Sequence, residues 1–340
     1  MARSSKKKAP AHRYPDLVKE ASEAQILQVL SIPKTWVEAD MKCRPLRISP
    51  RKRTRLKVTS GFFDFLPFEI LDMILLGLDY CSLSTLCVVN TKAESYIKHT
   101  LFYKNVVEHC YKALQKMKEW DLLRVYSAKT IYRTLSNGQC SVPGCGRLGS
   151  LLFLPGCYRS CALCLGSTPH LSLIALETAA ERYGLSEADI ADNVLCVRPP
   201  GWPESETFVV EADAISLATH LRGSRPPIFC RSVGWSDMIV NHMTVCHFPF
   251  ADPDTGKLEF GRKCRVCCLK YTEVCKTGSK DADDRPITEL EISKHEMKKF
   301  KKSALAVYGT KQLLGHIYNG ECPHAQEFWS REIKKTKNRT

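Results

Sequence analysis

The cysteines come first, because their number and spacing point to metal chemistry. The 340-residue chain holds 17 of them. Cys140 and Cys145 bracket a Pro143-Gly144 turn, and Cys161 and Cys164 form a C-x2-C pair after the run Leu151-Leu152-Phe153-Leu154. A zinc ion takes four thiolate or imidazole ligands in a tetrahedron, and two tight turns that each supply a pair provide them economically. The spacing therefore predicts a zinc site of Cys140, Cys145, Cys161 and Cys164, with the apolar run as a strand between the pairs. Cys157 is a fifth candidate for that site. Packing of thiols is the plain alternative. A redox C-x-x-C is disfavoured because no βαβ pattern surrounds it.

A second cluster repeats the logic at longer range. Cys264 and Cys267 form another C-x2-C pair, and His316 with Cys322 supplies the missing half of a set of three cysteines and one histidine. Cys246, Cys268, His295 and His324 are rivals. The turn Asp252-Pro253-Asp254-Thr255-Gly256 predicts a hairpin whose returning strand delivers Cys264 and Cys267. Zinc, structural and in two ions, is the cofactor expected.

The elements that must position these ligands are read from the rest of the pattern. At 44% hydrophobic and 25% charged residues, the composition is that of a globular chain long enough for more than one module. The stretch 16–30 has apolar residues at helical spacing and stops before Pro33. Helical patterns continue through 99–135 and end at Asn137-Gly138. A helix is expected over Leu171–Tyr183 and a short one over Ser186–Ile190, with strands at Val194–Val197 and Glu206–Val210. A charged helix is expected around Ile287–Tyr308. The fold class expected is α+β: an N-terminal helical module followed by small, zinc-stapled hairpins and helices.

Charge narrows the function classes. The formal net charge is +14, and residues 1–60 hold 15 basic against 5 acidic residues. That arm reads as a flexible, solvated segment, with nuclear import or polyanion contact as its functional reading. Residues 140–250 hold 7 basic against 10 acidic residues, so the first cysteine cluster carries no basic stripe and nucleic acid is not the expected partner. No run of eighteen apolar residues and no signal-peptide pattern occurs, so no membrane contact is expected and the cytoplasm or nucleus is the expected location. No glycine-rich phosphate loop, His-Glu-x-x-His helix or Gly-x-Ser-x-Gly elbow is present, and the expectation is a protein without catalytic residues.

One segment carries a family likeness. In Leu66-Pro67-Phe68-Glu69-Ile70-Leu71-Asp72-Met73-Ile74-Leu75, Pro67 and Glu69 suit a helix start, and apolar residues follow at helical spacing. After Gly77 and Asp79, Ser82 suits the cap of a second helix lined by Leu83, Leu86, Val88 and Val89. The order Leu-Pro-x-Glu-Ile-Leu, an acidic turn, then Ser-Leu-x-x-Leu-x-x-Val-Asn resembles the F-box over about 45 residues. The following Thr91–Tyr96 lacks the Trp usual there. The pattern Phe248-Pro249-Phe250, Asp252-Pro253, Thr255-Gly256, Leu258, Gly261, Cys264, Cys267, with Ala325-Gln326 and Trp329, resembles the receptor region of fungal F-box proteins, as does the cysteine knuckle after Phe153-Leu154-Pro155.

The resemblance implies a substrate-recognition subunit of an SCF-type ubiquitin ligase. Its partners would be the F-box-binding adaptor, a cullin scaffold and an unidentified protein target. Leu66, Pro67, Ile70, Ile74, Leu78, Leu83 and Leu86 would face the adaptor or support the surface that does. A zinc-dependent nucleic-acid-binding protein and a scaffold outside any ligase are the alternatives. The domains so drawn are a flexible basic arm (1–60), the F-box (61–108), a helical linker (109–137), a Cys-rich knuckle region (138–168), a mixed α/β segment (169–245), a second Cys/His region (246–330) and a basic tail (331–340).

Overall fold

The computed structural model describes residues 21–32, 65–165, 168–203, 206–223, 240–241, 243–251, 257–277 and 294–337. It is mixed α+β, with short antiparallel strands among many helices. The chain divides into two compact units. One joins the two ends of the chain, Met1–Trp36 with Gly261–Thr340, and the other is Val37–Phe260.

In chain order, α1 (Glu23–Leu30) belongs to the first unit. The larger unit starts with α2 (Phe68–Gly77), α3 (Tyr80–Val89), α4 (Thr91–His99), α5 (Leu101–His109), α6 (Tyr111–Glu119) and α7 (Ala128–Ser136). Several of these helices start where side chains satisfy their free N–H groups. The Asp79 carboxylate accepts from the Ser82 amide at 2.9 Å and from its hydroxyl at 2.7 Å. Asn90 accepts from the Lys92 and Ala93 amides. Asp79, not the expected Ser82, is therefore the cap of α3. The Ala128 amide donates to the Leu78 carbonyl at 2.7 Å, which fastens the start of α7 to the α2–α3 turn.

Beyond α7, β1 (Leu151–Phe153) pairs with β2 (Tyr158–Ser160) through a tight turn. β3 (Leu173–Ala175) then leads into α8 (Leu176–Tyr183) and α9 (Glu187–Asn193). β4 (Cys196–Val197), β5 (Phe208–Val210) and α10 (Glu211–Arg222) follow, then β6 (Val245–His247), β7 (Phe250–Ala251) and β8 (Leu258–Glu259). The sheets run β2-β1-β6, β3-β5-β4 and β7-β8. The expected helix over Leu171–Tyr183 is thus a strand and a shorter helix. The branched and apolar residues 173–175 satisfy their backbone against β5 instead of against a preceding turn. Periodicity predicts no helix at α10, whose residue pattern is only weakly amphipathic.

The smaller unit closes with α11 (Arg265–Thr277), α12 (Lys294–Leu305), α13 (Thr310–Tyr318) and α14 (Ala325–Lys337). Its core holds Ile26, Leu30, Val266, Leu313, Ile317, Phe328 and Trp329. Three expected boundaries give way here. The 1–60 arm is not all solvated, because Ile26 and Leu30 are fully buried against the C-terminal helices; residues 33–64 lie outside the described residues. The second Cys/His region does not begin at 246, because Cys246 sits in β6 opposite Leu152 of β1, in the larger unit. The tail from 331 continues α14 as far as Lys337. Among the described residues no helix is long and apolar enough to cross a membrane.

Candidate metal centres

The first ligand group grows from two turns held side by side. The Cys140 amide donates to the Arg147 carbonyl at 2.8 Å, and Cys145 closes on Val142 at 3.1 Å. Gly144 and Gly146 have φ of +73° and +61°, a backbone that residues with a Cβ rarely adopt, and this is what lets so short a loop reverse. The turn lies along β2 through a reciprocal pair: the Ser141 amide donates to the Arg159 carbonyl at 2.8 Å and the Arg159 amide to the Ser141 hydroxyl at 3.1 Å. Directly after β2, Cys161 and Cys164 form the second turn, with the Cys164 amide on the Cys161 carbonyl at 3.1 Å.

As a result the sulfurs of Cys140, Cys145, Cys161 and Cys164 all lie within 4.8 Å of one another. Cys145 stands 3.7 Å from Cys161 and 3.5 Å from Cys164. A tetrahedral zinc with bonds of about 2.3 Å to sulfur spaces its sulfurs about 3.8 Å apart, so the donor set fits that ion. Hydrogen bonding with Cys140 holds the Cys161 thiol down to about 4, while Cys140 is driven up by the same contact and burial pushes Cys164 up to about 12. One sulfur gives up its proton readily at the expense of its neighbours, the behaviour of a cluster in which a cation can replace shared protons. The Arg147 guanidinium lies 3.6 Å from Cys145 Sγ and 3.8 Å from Cys161 Sγ, where it offsets the surplus negative charge of four thiolates.

The second group is helical in origin. Backbone pairing of Ser31 with Cys264, and the Ile32 amide on the Lys263 carbonyl at 3.1 Å, set the approach to α11. Cys264 precedes that helix and Cys267 lies in its first turn, where the helix dipole favours thiolate. The expected hairpin knuckle is thus corrected. β7 and β8 do pair, but they belong to the larger unit, and the ligands sit at a helix start. His316 lies in the last turn of α13. Gly320, at φ +68°, turns the chain so that the Cys322 amide reaches the His316 carbonyl at 3.2 Å. That turn is the physical meaning of the His-x5-Cys spacing.

The donor atoms of Cys264, Cys267, His316 and Cys322 lie within 4.8 Å of one another, and all four residues are buried. Cys322 Sγ is 3.6 Å from Cys264 and 3.7 Å from Cys267, and His316 Nε2 is 3.4 Å from Cys267 Sγ. These separations fit tetrahedral zinc, whose sulfur and nitrogen ligands stand about 3.6 Å apart. Contacts with Cys267 and Cys322 hold the Cys264 thiol far below the ordinary range, and Cys267 is driven up in return.

His316 Nδ1, the nitrogen turned away from the sulfurs, lies 3.3 Å from Glu321 Oε2 and 3.5 Å from the Tyr308 hydroxyl. The Tyr308 ring stacks on the imidazole at 4.7 Å. A carboxylate on the far nitrogen fixes the ring's orientation and raises its basicity. Sequence reasoning found neither Glu321 nor Tyr308. The acidic residue one step before Cys322 was the only signal for the first.

The rival residues do other work. Cys157 occupies a left-handed position (φ +50°) in the β1–β2 turn; its sulfur is 3.8 Å from the Thr134 hydroxyl, and burial pushes its thiol up to about 11. Burial pushes Cys246 up to about 12. Cys268 Sγ donates to the Ala304 carbonyl at 3.3 Å. His324 stands 3.8 Å from Glu327. His295 falls in α12, and its side chain lies outside the described ones.

Behind the first centre lies a charge that no motif announces. Arg159 is 2% exposed, and the described residues place no carboxylate on it. Its guanidinium donates to the carbonyls of Thr134 (2.5 Å), Gly149 (2.7 Å), Phe248 (3.3 Å), Leu135 (3.3 Å) and Pro249, and lies 4.9 Å from the Phe248 ring centre. Burial lowers its pKa to about 10. Thr134 and Leu135 end α7, where carbonyls lack helical partners and a cation is favoured.

The seven residues expected at an adaptor surface separate into two groups. Pro67, Ile70 and Ile74 are exposed, the two isoleucines by 43% and 40%. Leu66, Leu78 and Leu86 are half-buried, and Leu83 is fully buried. Phe68 and Met73 on α2 are also exposed, by 52% and 68%, as is Val89 at the end of α3. The Phe68 ring lies 5.5 Å from Tyr96 of α4.

No protein-family model, no curated protein and no solved structure matches this chain.

Proposed function

We propose that the protein is a non-enzymatic substrate receptor. Residues 61–108 would dock as an F-box onto the adaptor of a cullin ubiquitin ligase, while the zinc-stapled C-terminal region holds a protein target. One observation carries the reading: α2 leaves Ile70, Met73 and Ile74 open to solvent on one side while its other side, Leu71 and Leu75, is buried. Three large apolar side chains exposed on one side of a ten-residue helix form a patch of the kind that marks a protein interface. Burying such side chains fully is worth about 1.5–3 kcal/mol each, so covering these half-open ones gains on the order of 3 kcal/mol before association costs.

In such a complex the chain's contribution is proximity. It holds a target lysine near the loaded conjugating enzyme and raises its effective concentration without itself handling protons. Zinc, held by Cys140, Cys145, Cys161 and Cys164 and by Cys264, Cys267, His316 and Cys322, supplies folding energy in this reading and no chemistry.

Co-expression with adaptor and cullin tests the docking half. The wild-type chain should co-purify with both, and Ile70→Asp with Ile74→Asp should lose them while keeping its helical circular dichroism. Failure of the wild type to retain the adaptor would sink the receptor reading and leave a zinc-stapled protein with a different partner.

A further inference from the structure

We propose that the unit built from residues 1–36 and 261–340 binds the phosphate backbone of a nucleic acid through the exposed face of α12. The two units differ sharply in charge. This one holds 25 Lys and Arg against 13 Asp and Glu, whereas the longer remainder holds 25 against 23. The acidic balance that argues against nucleic acid in residues 140–250 thus belongs wholly to the other unit.

Within the basic unit, α12 carries five lysines and one glutamate in twelve residues. Lys298, Lys301 and Lys302, at i, i+3 and i+4, share one face, and all three are exposed. No hydrogen bond or ion pair engages any of the three among the described residues. Elsewhere in the unit a lysine does have its carboxylate, as Lys270 has Glu273 at 3.0 Å. Beside this face α12 is packed: Ala304 is buried and its carbonyl accepts from Cys268.

Like charges at these spacings repel one another along a helix, and a polyanion relieves that repulsion. Charge density favours a phosphate backbone: duplex nucleic acid carries one charge per about 1.7 Å of its axis, which suits three ammonium groups spread over about 6 Å of helix, and lysines there give sequence-independent binding through counterion release. The proposal is independent of the adaptor reading, because it concerns the other unit.

The test is fluorescence anisotropy of the full-length, zinc-loaded protein with a labelled oligonucleotide of about 20 nucleotides, single-stranded and duplex, across a salt series. Affinity should fall steeply with salt. The triple variant Lys298→Gln, Lys301→Gln, Lys302→Gln should reduce the slope of log affinity against log salt by about 2 and weaken binding about tenfold near 100 mM salt. Its circular dichroism and adaptor co-purification should be unchanged. No binding by the wild type, or a slope unaffected by the triple variant, overturns the assignment. So does equal or tighter binding of polyglutamate or of phosphatidylserine vesicles through the same three lysines, which would give the face to an acidic protein or to a membrane.

Discussion

The two candidate metal centres offer nearly the same ligand chemistry in cores of very different size. The four-cysteine centre hangs on the β1–β2 hairpin of the larger unit, where Cys140, Cys161 and Cys164 belong to a large core with Leu83, Val106, Met117, Ile131 and Phe153, and Arg159 ties β2 to the Gly149 carbonyl. The histidine-containing centre belongs to a small core assembled from both chain ends, of which Cys264, Cys267 and Cys322 are members. Small cores supply little net stability alone, and structural metals compensate for that. Similar ligand sets therefore need not carry equal weight: the helical centre should be required for its unit to fold, the hairpin centre only for its local turns.

Metal removal separates the two most strongly. Structural zinc contributes about 10–16 kcal/mol in small peptides. Chelation should therefore abolish amide protection throughout α11, α13 and α1 while leaving α2 to α7 protected in hydrogen exchange. Equal loss in both units would break the comparison.

The next effect belongs to the larger unit. Arg159→Met leaves five carbonyls without their donor and should destabilise that unit by about 3–5 kcal/mol, read as a lowered urea midpoint. The expected counterpart is an unchanged rate of zinc release from the helical centre.

Ile26→Ala probes the opposite side. It opens a cavity in the small core at a cost of about 2–4 kcal/mol, and zinc captured by a chromogenic chelator should leave faster from the histidine-containing centre only. If both ions leave at the wild-type rate, the N-terminal helix is not part of what holds that metal.

Glu321→Gln should give the smallest change. The carboxylate is largely exposed, so competition titrations should show a loss in zinc affinity of about tenfold or less at the histidine-containing centre, with the four-cysteine centre unaffected. A loss as large as that of His316→Ala would mean that Glu321 is a ligand and not the group that orients one.

The pairs Cys140/Cys145, Cys161/Cys164, Cys264/Cys267 and His316/Cys322 each span a few residues, so the turn that aims each pair is written in the local sequence. The structure brings together all eight residues that their spacing nominates. The helices α2, α3 and α7 and the strand over 151–153 were legible for the same reason, since periodicity and caps are local properties. Other features were not. Arg159 takes its partners from 10 to 90 residues away. β6 meets β1 across more than eighty residues of chain, and α1 folds onto helices near the other terminus. Exposure of the α2 stripe is equally non-local, because the same leucine-rich spacing serves a buried helix as well as an open one. Amino-acid order was enough to say which residues could pair as ligands and where helices begin, since short-range sterics and hydrogen bonding suffice for that. Packing between segments far apart in the chain was needed to settle which centre lies in which core, which cation is buried and which apolar face stays open.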